Sequence, residues 1–92
     1  MHILTRIEPA GSVTLLVRGT IDGASVADVD QAFVAARRLE KPVCLDLAEV
    51  ALIDRPSLQY LIDLIRSGVR IVNCPDYIAR WIERERREED RA

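Results

Sequence analysis

Leu52–Ile65 reads LIDRPSLQYLIDLI, and its interpretation decides the fold. Leu52-Ile53 is an extended apolar pair that closes on Asp54. Arg55-Pro56-Ser57 turns the chain into a helix whose apolar positions Leu58, Leu61, Ile62 and Ile65 recur at helical spacing. Proline suits the first helical turn because its fixed φ and missing N–H cost nothing there. Asp54 can cap the helix, since a carboxylate accepts from the free N–H groups of the first turn. Gly68 fits the position after the helix end, where a left-handed backbone is common. A strand that runs straight into a helix is the repeating unit of α/β architecture.

Outward from this corner the same alternation continues. Downstream, Val69–Asn73 is the next strand, and Pro75 opens a third helix with Ile78, Trp81 and Ile82 inward. Upstream, Val43–Leu47 is a strand, followed by a short turn at Ala48-Glu49 and a brief extended piece to Asp54. A helix with Val29, Ala32, Phe33, Ala36 and Leu39 on one stripe precedes it, ending near Leu39. Ser25 is its expected N-cap, with Asp28 completing a capping-box pattern. Ile3–Glu8 and Val13–Ile21, joined by Pro9-Ala10-Gly11-Ser12, predict an antiparallel hairpin. The expectation is one small α/β domain with a mixed four- to five-stranded sheet and about three helices mainly on one face. Strands sandwiched on both faces would be continuously apolar. Here one side of the sheet carries Arg6, Arg18, Asp46 and Arg70, together with Leu4, Leu16, Cys44 and Val72, so that side is largely wet with a small apolar patch.

Ninety-two residues hold one core. Residues 1–82 read as the domain and 83–92, ERERREEDRA, as a charged helical extension or tail. Its pairs Glu83–Arg87, Arg84–Glu88 and Arg86–Asp90 would each add only ~0.2–0.5 kcal/mol to a helix. Net charge −2 and pI 5.3 argue against nucleic-acid binding, which favours a basic face. No apolar run approaches the ~20 residues of a membrane-spanning helix. The start, MHILTRIE, lacks the apolar core of a signal peptide, so a cytoplasmic protein is the expectation. Cys44 and Cys74 are too few for a disulfide framework and too far apart for a CxxC site. His2 is the only histidine, so no Ser-His-Asp set exists, and no P-loop, GxGxxG or metal-ligand cluster is present. Neither enzymatic activity nor a cofactor is expected.

The stretches RGTIDGAS…VDQAF, PVCLDLAEVALID and GVRIVNCP, in this order over roughly Val13 to Ile82, resemble the STAS domain. That family comprises bacterial anti-sigma factor antagonists and the cytoplasmic domains of sulphate transporters. Gly19-Thr20-Ile21-Asp22 stands where the family has Gly-Glu-Leu-Asp. Leu45-Asp46-Leu47 with Val50 and Ile53-Asp54 is similar to its LDLSGVxxIDSSG. The resemblance implies a protein-docking module whose serine or threonine after the aspartate is phosphorylated by a partner kinase. At that place this chain has Arg55, followed by Pro56, with Ser57 aligned to the family's glycine. Ser57 therefore reads as a helix-start residue rather than an acceptor.

If the Asp22 and Asp54 loops meet at one rim, Asp22, Gly23, Asp54, Arg55, Ser57, Leu58 and Tyr60 form the expected partner-binding set. Arg55 would pair with Asp22 or Asp54, and Leu58 or Tyr60 would be exposed apolar anchors. The resemblance implies an anti-sigma factor of kinase fold as partner, docked without a phosphate switch. Two alternatives are a small STAS subunit docking the ATPase of a lipid-transport ABC complex, and a scaffold assembling with itself through the second sheet face.

Overall fold

The computed structural model describes residues 1–91. The elements run β1 (His2–Ile7), β2 (Val13–Ile21), α1 (Val26–Arg37), β3 (Val43–Ile53), α2 (Arg55–Arg66), β4 (Arg70–Val72) and α3 (Asp76–Arg91). The strands form one mixed sheet in the order β1-β2-β3-β4. β1 pairs antiparallel with β2, while β2–β3 and β3–β4 are parallel through the α1 and α2 crossovers. Val13, Leu15, Val17 and Ile21 of β2 share one core with Leu45, Leu47, Val50 and Ile53 of β3. Phe33, Leu58, Leu61, Ile62, Ile78 and Ile82 close it from the helices. The sheet has four strands, the lower end of the expected range.

The fifth strand vanishes because β3 is continuous. The expected turn at Ala48-Glu49 is instead part of an eleven-residue strand carrying two irregularities. Pairing runs Leu16↔Asp46 and then Arg18↔Glu49, and again Gly19↔Val50 and then Thr20↔Leu52. On β3 the inward apolar positions are accordingly spaced two, three and three residues apart, at Leu45, Leu47, Val50 and Ile53. Each three-residue step contains one extra residue, an exposed alanine: Ala48 in the first bulge and Ala51 in the second. A bulge leaves backbone groups outside the ladder, and side chains supply their partners. The Ala48 N–H donates to Asp46 Oδ1 at 2.9 Å, and the Tyr77 hydroxyl donates to the Ala51 carbonyl at 2.6 Å.

The helix signals hold unevenly. α2 ends as expected: Gly68 sits at φ +95°, Gly68 N–H reaches Ile65 O, and Val69 N–H reaches Leu64 O. α1 is shorter than its apolar stripe, stopping at Arg37 before a left-handed Glu40 at φ 54°. Its capping box does not form. Ser25 has helical backbone angles (φ −80°, ψ −22°) instead of the extended ones of a capping residue, and its Oγ donates to Asp22 Oδ1 at 2.8 Å. Pro75 stands one residue before α3, its carbonyl accepting from Ile78 and Ala79. The charged segment continues α3 as one helix to Arg91, with the Glu83–Arg87 pair formed at 2.6 Å.

Candidate functional site

β2 and β3 are parallel, so their C-terminal ends share one rim of the sheet, the usual place for ligands and partners in α/β folds. Two bonds lock the loops together there. Asp54 N–H donates to Ile21 O at 3.1 Å, and Gly23 N–H donates to Asp54 Oδ2 at 2.9 Å. The other carboxylate oxygen, Oδ1, accepts from Ser57 N–H at 2.9 Å and so caps α2. Asp54 thus serves both loops at once. The Ser57 hydroxyl close by, then the N–H groups of Ser57 and Gly23, hold the Asp54 carboxyl below the usual carboxylate range. Asp22 turns inward to its own loop and accepts from both the N–H and the hydroxyl of Ser25.

Four of the expected site residues are where a partner could meet them: Asp22 and Gly23 are exposed, Asp54 is half-buried and Arg55 is 70% exposed. Arg55 does not neutralise the aspartates. Its Nη2 lies 3.2 Å from Glu85 Oε2 on α3, a carboxylate left with little solvent, whereas the Asp54 oxygens are already taken by N–H donors. Leu58 is no anchor. It is fully buried beneath α2, on the stripe with Leu61 and Ile62. Tyr60 is half-buried, and its hydroxyl donates to Asp30 Oδ1 on α1 at 2.9 Å. Burial, and then Asp30, push its pKa up. Ser57 is fully buried, and its Oγ makes no hydrogen bond of acceptable geometry. The face that α2 leaves to solvent is mostly charged, with Arg55, Asp63 and Arg66 exposed beside the apolar Pro56.

The residues that sequence reasoning missed lie on α3. Glu85 takes Arg55, while Glu89 takes Gln59 at 2.7 Å and also Arg66. Trp81 Nε1 donates to Glu85 at 3.3 Å. The signal was a shared stride: Arg55 and Gln59 are four apart, and so are Glu85 and Glu89, so two helices lying side by side align both pairs. A cavity of about 450 Å³, lined by Ile65, Ile71, Cys74 and Ile82, opens at the other end of α2, away from the rim. Among the described residues no helix is long and apolar enough to cross a membrane, and no three metal-ligating side chains gather. The rim therefore gathers two carboxylates, both engaged by donors of the chain itself, and the largely exposed Arg55 cation. No protein-family model matches this chain, and no curated protein does.

Proposed function

We propose that this chain is a non-enzymatic, cytoplasmic protein-docking module that meets its partner through the rim formed by Asp22, Gly23 and the Arg55-Pro56 entry of α2. The reading combines the resemblance to anti-sigma factor antagonists with one structural observation. The Gly23 N–H to Asp54 bond fastens the two loops into a single surface, and at the family's acceptor place that surface presents Arg55. A phosphate adds about −1.5 to −2 charges and releases such an interface; an arginine carries the opposite charge and has no hydroxyl to modify. Docking to a partner of kinase fold is therefore constitutive. Ser57, buried under α2, is sheltered from any kinase.

Two measurements test this. Incubation with a kinase-fold partner and ATP leaves the intact mass unchanged; stoichiometric phosphate on Ser57 restores the switch and rejects the proposal. In capture from native lysate, Arg55→Glu and Gly23→Trp abolish retention of an ATP-binding partner, whereas Val34→Lys on exposed α1 does not. A Cβ at Gly23 meets nothing within 4 Å, so the tryptophan blocks the rim without disturbing the core. Undiminished retention by both rim variants overturns the reading. A captured transporter ATPase moves the partner from anti-sigma factor to ABC complex. Leu58 is unsuited as a probe, since its substitution opens the core.

A further inference from the structure

The sheet has two free edges, and they differ. β4 is blunted: it is three residues long and ends at Asn73, whose φ is 53°. β1 has no such protection. It is six residues long, contains no proline and pairs with β2 alone, without a register shift. Apart from the half-buried Ile3 its residues are exposed, Ile7 to 58%. The bonds of β2 fix which backbone groups of β1 are unused. Val13 N–H donates to Pro42 O at 2.8 Å, so Val13 turns its backbone groups toward β3. Direction alternates along a strand, so Thr14 and Leu16 turn theirs toward β1, where they face Arg6 and Leu4. Glu8 N–H continues that set by donating to Ser12 O. The N–H and C=O groups of Ile3, Thr5 and Ile7 therefore point away from the sheet, and none has a backbone partner among the described residues.

We propose that β1 pairs antiparallel with β1 of a second copy of this chain, across a twofold axis that passes through the sheet at Thr5 and joins the two sheets into one. The edge is its own complement. Ile3 and Ile7 stand two residues to either side of Thr5, so Thr5 faces the second copy's Thr5, and Ile3 faces its Ile7. Each of these pairs exchanges both N–H···O bonds, and every unused group of the edge gains a partner. On the helix side of the sheet the register sets isoleucine against isoleucine twice and covers the exposed Ile7. On the open side it sets Leu4 against Arg6, and His2 against Glu8, whose Oε2 accepts nothing among the described residues. The neighbouring registers fail on both counts. An axis at Leu4 sets His2 against Arg6 and carries Ile7 to Met1, outside the strand. An axis at Arg6 sets Arg6 against Arg6 and Ile3 against Pro9, which has no N–H. The contact is one strand wide and held by main-chain bonds rather than by area, so the dissociation constant is roughly 0.1–1 mM.

Sedimentation and light scattering of the full chain from about 20 μM to 2 mM then show a mass that rises from one chain toward two. Thr5→Pro removes an outward N–H and no bond to β2, so it keeps the native circular dichroism and weakens association at least ~10-fold. Ile7→Lys, at a position already exposed, sets a lysine against Ile3 of the second copy and also weakens association. It decides alone if the proline variant loses the native spectrum. Register is read by mild oxidation. Thr5→Cys forms a covalent dimer, because its two copies stand directly opposite at a Cα separation of about 5.5 Å. Leu4→Cys, whose copies stand diagonally more than about 7 Å apart, does not, and neither does the unsubstituted chain with Cys44 and Cys74. A mass of one chain throughout, undiminished association of folded Thr5→Pro or of Ile7→Lys, or cross-linking of Leu4→Cys in place of Thr5→Cys overturns the proposal.

Discussion

At the scale of single residues, Asp54 and Ser57 show how one corner combines local chemistry with placement. Asp54 was legible because an aspartate before Arg-Pro-Ser is a cap signal, and the carboxylate does cap α2. Its second bond, to Gly23 N–H, was not legible, because it joins residues 31 apart in the chain. Leu58 was read both as part of the helical apolar stripe and as an exposed anchor. The stripe reading holds, since the helix face that meets the sheet is the one carrying Leu58, Leu61 and Ile62. Ser57 shares that buried face, and its hydroxyl lacks a bonded partner there. A buried polar group without a partner costs about 1–3 kcal/mol, and alanine is also the better helix former. Ser57→Ala removes that cost together with the hydroxyl's help to the Asp54 carboxylate, so the urea midpoint rises by less than about 1 kcal/mol of stability at neutral pH and unchanged m-value, and by more once Asp54 is protonated in acid. A loss of stability of that size would mean that the hydroxyl bonds to Asp54 in solution.

At the scale of elements, β2, α2 and the strand–helix order were readable from apolar periodicity, because a buried stripe is set by the residues that carry it. β3 was not, because period-two reasoning treats Ala48-Glu49 as a break where the strand in fact gains a residue. The two bulges keep Leu45, Leu47, Val50 and Ile53 inward and still bring Ile53 opposite Ile21, so that Asp54 arrives at the rim. α3 was readable in its first turns only. Its later face is defined by Glu85 and Glu89 meeting Arg55, Gln59 and Arg66, polar contacts with no apolar period. Removal of the extra residue is the direct test of the bulge. Deletion of Ala48 leaves the pairings on either side in register, so the chain folds with a native circular dichroism spectrum. It loses about 1–3 kcal/mol, because Asp46 is deprived of a donor while buried. Deletion of Leu47 removes an inward side chain and costs more, in the range of about 3–5 kcal/mol for an emptied leucine site. Equal effects of the two deletions in urea titrations would refute the placement of the first bulge at Ala48.

At the scale of the whole molecule, the groups with displaced pKa values lie far apart and bracket a stability plateau in pH. Asp54 at the rim and Glu8 beside the β1–β2 turn are both held below the usual carboxylate range. For Asp54 the cause is the Ser57 hydroxyl and the N–H groups around it; for Glu8 it is Arg6 and then Thr14. Their ordinary values are about 3.9 and 4.3, so at lower pH the unfolded chain takes up protons before the folded one. The stability they supply is complete above about pH 5 and is lost as pH falls through their folded values. Cys74 and Tyr60 act in the opposite direction. Burial, then Asp76, raises the thiol, and burial, then Asp30, raises the phenol, so the folded chain keeps protons that the unfolded chain gives up near about pH 8.5 and 10. Their contribution is complete below those values and falls as pH rises. Urea midpoints measured from pH 2.5 to 10.5 therefore trace a plateau from about pH 5 to 8 with a decline on each side. Asp54→Asn and Glu8→Gln each flatten the acid limb, Cys74→Ala flattens the onset of the alkaline limb, and Tyr60→Phe flattens its upper part. An alkaline limb that keeps its slope in both Cys74→Ala and Tyr60→Phe would show that neither group is buried as described, and with it that α1, α2 and α3 do not close over the sheet in this arrangement.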